Sequence, residues 1–215
     1  MTSFYERAIL PRLLTCACGS PAIMRQRARL VPQAHGRVLE LGVGGGLNLA
    51  FYDPSRVDYV TGIDPSPQLR NRASAAPRSP NLRVAIEAGE AEALPFADHS
   101  FDSVVCTFTL CSVRDPAAAL AEARRVLAPG GDFYFCEHGL SPEPGVARWQ
   151  TRLDPLWSRL AGGCHLNRPV ADSITAAGFR LGSVEKAYLP KTPRFAGWNE
   201  WGAAQTKLSR APNSG

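Results

Sequence analysis

Apolar residues occur along this chain in short runs, which are separated by turn residues and by segments of helical periodicity. Runs rich in valine, leucine, isoleucine and phenylalanine are typical of the buried strands of a parallel sheet. Strands are predicted in this way at residues 38–41, 59–63, 82–86, 103–108 and 133–138. Because helical segments lie between most of these runs, the pattern predicts an α/β fold.

Residues typical of helix N-termini support the prediction of helices between these runs. Ser20 is a good N-cap and Pro21 fits the first helical position, and Ser66 and Asp115 are each followed by proline in the same way. The apolar face of the helix that follows Ser20 is predicted to contain Ile23, Met24, Ala28 and Val31. Other helices are predicted at residues 3–14, 47–52, 66–75, 115–127 and 169–177.

The first predicted strand carries Glu40 one residue before its end and runs directly into Gly42, Gly44 and Gly46. Glycines at such a turn allow positive φ and a close approach of a ligand to the backbone. The second strand ends on Asp64, about twenty residues later, where a carboxylate can accept hydrogen bonds from ribose hydroxyls. The ligand is therefore predicted to be an adenosine-type molecule that lies on the glycine loop.

These motifs resemble those of class I S-adenosylmethionine-dependent methyltransferases. The match consists of E-x-G-x-G-x-G at Glu40, Asp64 after the second strand, the segment beginning Gly89-Glu90-Ala91, and the turn at residues 124–131. The resemblance implies S-adenosylmethionine as cofactor and a single-domain, Rossmann-like, seven-stranded, mostly parallel sheet with helices on both faces. The closing antiparallel strands would be residues 179–189 and 195–207. The cofactor-binding residues implied are Glu40, Gly42, Gly44, Gly46, Asp64, Pro65, Glu90, Ala91, Thr107 and Leu110.

The resemblance also suggests how the chain is divided. Residues 1–36 are predicted to form an N-terminal helical cap and residues 37–215 the methyltransferase domain. Within that domain, residues 141–168 form a helical insertion on the acceptor side. The cap would either cover the cofactor or pack against the sheet edge, and the sequence leaves both open.

Composition and charge limit the cellular location and the partners that the protein can have. The 215 residues carry a net charge of +5 and no apolar span of membrane length, and the start of the chain lacks the order of a signal peptide. A cytoplasmic protein is expected, with contact to acidic lipid compatible with the basic surface and no nucleic-acid partner. The six cysteines lack paired C-x-x-C spacing, so free thiols and no metal site are expected. Nothing in the sequence sets the oligomeric state.

The strand ends and the insertion are similar to those of methyltransferase-like thiol S-methyltransferases. The similarity lies in residues 104–113, 133–138, 154–157 and 163–168. It implies a small-molecule acceptor, a lipophilic thiol, with His138 or His165 favouring the thiolate. Apolar walls are predicted from Trp149, Trp157, Phe108 and Leu110, and Cys164 is a further candidate acceptor-side residue. Each of these residues also has a purely structural interpretation, and Glu137 is either a base or an orienting group.

Two other enzymatic functions and one non-enzymatic function are alternative hypotheses. A quinone precursor or a phospholipid amine could be the acceptor, which would make the protein a carbon or nitrogen methyltransferase. A catalytically silent S-adenosylmethionine-binding scaffold would keep Gly42, Gly44 and Asp64 but have a blocked acceptor pocket. A nicotinamide-dependent oxidoreductase is disfavoured because Leu47 stands where the third glycine of G-x-G-x-x-G is required.

Overall fold

The computed structural model describes residues 18–206. Its centre is a seven-stranded sheet in the order β3-β2-β1-β4-β5-β7-β6. Strands β1 to β5 pair in parallel, whereas β7 lies antiparallel to both β5 and β6. The strands are β1 Gly36–Leu41, β2 Val57–Ile63, β3 Val84–Glu87, β4 Phe101–Thr107, β5 Leu127–His138, β6 Arg180–Tyr188 and β7 Trp198–Gln205. The predicted fold class is confirmed, including the closing antiparallel strands.

Helices cover both faces of this sheet. They are α1 Pro21–Leu30, α2 Pro67–Ala75, α3 Pro116–Val126, α4 Pro144–Leu160, α5 Val170–Ala176 and α6 Arg194–Gly197. The two apolar clusters lie on opposite faces, and the central strands β1 and β4 contribute to both. Within residues 18–206, no helix combines the length and the apolarity needed to cross a membrane.

Two helix starts illustrate how the sequence sets local structure. The Ser66 hydroxyl accepts a hydrogen bond from the backbone N–H of Leu69 at 3.3 Å, and Pro67 begins α2. The Asp115 carboxylate likewise accepts from two backbone N–H groups at the start of α3. Ser20 makes no such side-chain bond, so α1 begins without the predicted N-cap interaction.

The helix predicted for residues 47–52 is absent, and successive turns occupy this segment. Hydrogen bonds join Leu49 N–H to Gly46 and Phe51 N–H to Asn48, both with a spacing of three residues. The segment is too short to form a cooperative helix between the glycines and Pro54, and proline disfavours helical geometry at the residue before it. No helix N-terminus therefore faces the ligand after the glycine loop.

The apolar face predicted for α1 is partly wrong. Ile23 and Leu30 are buried, but Ala28 is exposed and the polar residues Gln26 and Arg27 are buried instead. The helix predicted for residues 3–14 and Cys16 lie outside the described residues. The five described cysteines are free, and those at 106, 111, 136 and 164 are buried, as expected for small apolar side chains in strands and tight loops.

Candidate functional site

A cleft of about 420 Å³ lies at the carboxyl ends of β2, β1 and β4. This is where ligands bind in open α/β sheets, because the loops that leave neighbouring strands diverge there. Seven residues predicted to bind the cofactor line this cleft: Gly42, Gly44, Asp64, Pro65, Glu90, Ala91 and Thr107. Phe108, a predicted apolar wall, lines it as well.

Asp64 is 6% exposed and stands at the end of β2. Its carboxylate accepts hydrogen bonds from the backbone N–H groups of Gly44 at 3.0 Å and Ser66 at 2.8 Å. Burial raises the pKa of this carboxyl group, and the two N–H donors oppose that rise. Asp64 therefore ties the glycine loop to the second strand and leaves carboxylate lone pairs for a ligand in the cleft.

The glycines of the loop meet different neighbours. A Cβ on Gly42, where φ is +64°, would lie 2.3 Å from the Thr109 hydroxyl, and a Cβ on Gly46 would lie 2.6 Å from the Ala76 side chain. A Cβ on Gly44 would meet no atom closer than 3.7 Å. Gly42 and Gly46 thus allow close packing of protein on protein, whereas Gly44 faces the open cleft.

The cleft fits the donor that the sequence predicts. Asp64 presents a carboxylate to the cleft, as a ribose-binding residue would, and within the described residues no protein atom blocks the face of the backbone at Gly44. Glu90 and Ala91, which follow β3, line the cleft as well, and the Glu90 carboxylate forms an exposed ion pair with Arg114 at 3.3 Å.

A buried polar network closes the other end of the cleft. The Glu40 carboxylate accepts hydrogen bonds from the Asn48 amide at 2.9 Å and the Tyr52 hydroxyl at 2.8 Å. Asn48 also donates to the Thr107 hydroxyl at 3.0 Å. The Arg27 guanidinium donates from Nη1 to both Asn48 and Thr107, each at 2.6 Å. Helix α1 is thereby connected to the ends of β1 and β4.

Glu40 lies behind the glycine loop and does not line the cleft. Burial raises its pKa to about 7 from an ordinary value of 4.5. The folded protein binds this proton more tightly than the unfolded chain does. The stabilisation from Glu40 is therefore complete below about pH 4.5 and is lost as the pH rises through about 7.

The variant Glu40→Gln removes this titration. We expect its free energy of unfolding to fall less steeply than that of the unsubstituted protein between about pH 4.5 and pH 7. Urea unfolding at several pH values within this window measures the difference. Glu87→Gln, an exposed carboxylate at the end of β3, serves as the matched control. Identical pH slopes for Glu40→Gln and the unsubstituted protein would contradict the assignment.

Glu137 near the end of β5 is fully buried and organises the loop that follows β4. Its carboxylate accepts hydrogen bonds from the backbone N–H groups of Thr109, Leu110 and Cys111 at 2.8, 3.1 and 3.1 Å. Burial raises its pKa to about 7, and the three donors oppose this rise. This geometry supports the orienting interpretation of Glu137, since its oxygens are occupied by the loop. The predicted cofactor residue Leu110 belongs to this loop and does not line the cleft.

The two candidate histidines lie outside the residues that line the cleft. The His138 ring packs edge-to-face on Phe108 with 5.0 Å between centroids, and burial lowers its pKa to about 4. The Nδ1 atom of His165 forms a hydrogen bond with Oδ2 of Asp154, and the two atoms are 2.7 Å apart. His138 is consequently neutral near pH 7 and supports the wall residue Phe108, while the Asp154 contact fixes the ring of His165 to α4.

The predicted acceptor-side residues on and after α4 are not brought into the cleft either. The Trp149 side chain is 58% exposed on the outer surface of α4. Trp157 packs against Phe195 with 5.9 Å between ring centroids. Cys164 is buried, and a hydrogen bond with Cys111 lowers its pKa. From this insertion, Gly162 is the residue that reaches the cleft lining.

Arg27 and Cys18 line the cleft, although the sequence patterns did not single them out. The apolar periodicity of this helix gives no reason to expect a buried arginine at position 27. A basic residue one turn before the apolar Val31 could have indicated a buried cation, but surface arginines have the same pattern. Burial raises the pKa of Cys18 to about 11, which keeps its thiol protonated at neutral pH.

The sequence profile of the methyltransferase domain family matches residues 39–135. Thiol S-methyltransferase TMT1B of Rattus norvegicus is 40% identical over 169 residues, which cover 74% of this chain and 68% of the rat protein. Thiol S-methyltransferase TMT1A of Homo sapiens is 40% identical over 165 residues, with coverage of 74% and 66%. A phosphatidylethanolamine N-methyltransferase of Cereibacter sphaeroides is 37% identical over 116 residues, with coverage of 53% and 56%.

Solved structures share the fold. A chain of the complex between the Haloferax volcanii Trm112 methyltransferase activator and a putative methyltransferase superposes with a TM-score of 0.72 at 16% identity. The match covers 94% of this chain and 96% of that chain. An S-adenosylmethionine-dependent methyltransferase from Mesorhizobium loti gives a TM-score of 0.66 at 23% identity, with coverage of 87% and 98%.

Proposed function

Since this chain belongs to the class I S-adenosylmethionine-dependent methyltransferases, in the family that contains the thiol S-methyltransferases, we propose that it methylates the sulfur of a small lipophilic thiol. S-adenosylmethionine is the methyl donor. The main support for a thiol acceptor is the 40% identity to the rat thiol S-methyltransferase. This similarity covers 74% of the chain and extends well beyond the segment that the domain profile matches. The aligned region therefore extends into the acceptor-side part of the chain.

The shape of the cleft supports this acceptor. Beyond the glycine loop, the cleft is lined by Phe108, Val113 and Gly162, which provide an apolar surface for a lipophilic molecule. Phe108 is held with a φ of +55°, a strained conformation for a residue other than glycine, and His138 packs against its ring. The Glu137 carboxylate fixes the following residue, Thr109, so that this wall is rigid.

Methyl transfer to a thiol requires little acid–base catalysis from the protein. The bound donor supplies an electrophilic methyl group attached to a sulfonium. The residues of the cleft hold the two reactants together and exclude water, which converts an encounter in solution into a positioned reaction. A thiol with a free pKa near roughly 8.5 is partly ionised at neutral pH, so a strong general base is not needed. Of the two histidines predicted for this role, His138 packs against the wall residue Phe108 and His165 is hydrogen-bonded to Asp154.

Turnover tests the proposal. Purified protein with S-adenosylmethionine is assayed for S-adenosylhomocysteine release against alkyl thiols, quinone precursors and amines. We expect turnover on thiols, with kcat/KM rising with pH until the thiolate fraction saturates. Asp64→Ala provides the control for background methylation. Turnover on a quinone precursor or an amine, with none on thiols, would replace the acceptor and retain the donor.

The thiol chemistry of the chain supports a reducing compartment. The described cysteines are all free, including Cys111 and Cys164, which are hydrogen-bonded to each other. Adjacent thiols persist where the cellular environment keeps them reduced. We place the protein in the cytoplasm on this basis, as part of the proposal.

A further inference from the structure

Arg27 is a buried cation that forms no direct ion pair among residues 18–206, and the Glu40 carboxylate, which interacts with it electrostatically, lies on the far side of Asn48. Arg27 is only 4% exposed, and it lines the cleft. The two hydrogen bonds that the guanidinium makes within the described residues both leave from Nη1, to the neutral side chains of Asn48 and Thr107. Nε is buried without a hydrogen-bond partner in the same part of the chain. Burying a charge in this way is costly unless an anion offsets it.

The position of Arg27 identifies which anion the cleft would bring to it. Asp64 marks the ribose end at β2, and the open face at Gly44 leads toward β4. Arg27 stands at the end of β4, where it contacts Thr107 and lies 5.5 Å from the centroid of the Phe108 ring. A ligand that starts at Asp64 and crosses the glycine loop therefore presents its tail to Arg27.

We propose that Arg27 binds the α-carboxylate of the methionine part of S-adenosylmethionine, so that helix α1 forms one wall of the donor site. That carboxylate is the only anionic group of the donor and is ionised throughout the neutral pH range. A guanidinium suits it because planar N–H donors match the two carboxylate oxygens. The Asn48 and Thr107 bonds orient the guanidinium before the donor arrives. The inference concerns the donor and does not depend on a thiol acceptor.

A matched pair of ligands isolates this contact. S-adenosylhomocysteine retains the carboxylate, and S-adenosylthiopropylamine is the same molecule without it. Calorimetry with Arg27→Met is expected to show an affinity for S-adenosylhomocysteine reduced by about 10- to 100-fold, the effect of losing a charge-assisted hydrogen bond. The affinity for S-adenosylthiopropylamine is expected to change by less than about threefold. Arg25→Met, an exposed arginine on the same helix, should leave both affinities unchanged.

Arg27→Lys keeps the charge but loses the planar geometry, and it provides the measurement if Arg27→Met fails to fold. We expect Arg27→Lys to lose affinity for S-adenosylhomocysteine selectively, by a smaller factor than Arg27→Met. Equal losses for the two ligands would overturn the proposal and make Arg27 a structural residue. Unchanged affinity for S-adenosylhomocysteine, together with a pH profile of kcat/KM displaced to higher pH, would also overturn it and assign the cation to the acceptor.

Discussion

Replacing Glu137 by alanine is expected to lower the free energy of unfolding by about 3–5 kcal/mol. The substitution leaves the backbone N–H groups of Thr109, Leu110 and Cys111 buried without an acceptor, and each such group costs about 1–3 kcal/mol. The side chain is fully buried, so water cannot readily replace it. Urea unfolding monitored by circular dichroism measures the change.

The same loop links stability to ligand binding. The Thr109 hydroxyl donates to the backbone oxygen of Leu41 at 2.9 Å and occupies the space that a side chain on Gly42 would take. Glu137→Ala is therefore also expected to weaken donor binding, because the glycine loop loses its support. Glu185→Ala, an exposed carboxylate on β6, is the control. A loss of less than about 1 kcal/mol for Glu137→Ala would show that the loop holds its shape without the carboxylate.

Asp64→Ala is expected to reduce the affinity for S-adenosylmethionine by about 100-fold or more. The carboxylate is positioned to accept hydrogen bonds from two ribose hydroxyls, each worth about 1.5–3 kcal/mol when the acceptor is charged. The variant also removes the acceptor for the Gly44 and Ser66 N–H groups, which loosens the loop. Isothermal titration calorimetry gives the dissociation constant directly.

The control for Asp64→Ala is Asp58→Ala, which removes an exposed carboxylate from the other end of β2. Its affinity for S-adenosylmethionine should equal that of the unsubstituted protein. Thermal unfolding of both variants without ligand separates loss of binding from loss of fold. Undiminished affinity in a folded Asp64→Ala protein would remove this carboxylate from the donor site.

The residues predicted from the glycine loop and from the end of β2 lie together in the cleft because their requirements are local. Gly42 and Gly44 adopt positive φ at a tight turn, and Asp64 follows a strand whose apolar pattern is clear. Such features depend on residues close together in the chain, so a short motif reveals them. The seven-stranded, mostly parallel sheet followed from the same motifs through their resemblance to a known fold, whereas the order of its strands comes from the structure.

The far half of the site depends on contacts between distant segments, which the sequence does not reveal. Arg27 meets Thr107 across 80 positions, and Glu137 meets Thr109 from the neighbouring strand. Trp149 has the same apolar character whether it faces a substrate or solvent, and the structure places it at the surface. A histidine that follows a buried strand is expected from the sequence to titrate near neutral pH at the rim of the site, whereas burial lowers the pKa of His138 to about 4.

The fate of a labelled methyl group tests the proposed thiol methylation most directly. The protein is incubated with S-adenosylmethionine that carries a deuterated methyl group, together with an equimolar mixture of a lipophilic thiol, a quinone precursor and an amine, and the products are identified by mass spectrometry. We expect a labelled methyl thioether as the main product, formed in step with S-adenosylhomocysteine and absent with Asp64→Ala. Labelled methyl on the quinone precursor or the amine, with no labelled thioether, would contradict the proposed thiol methylation.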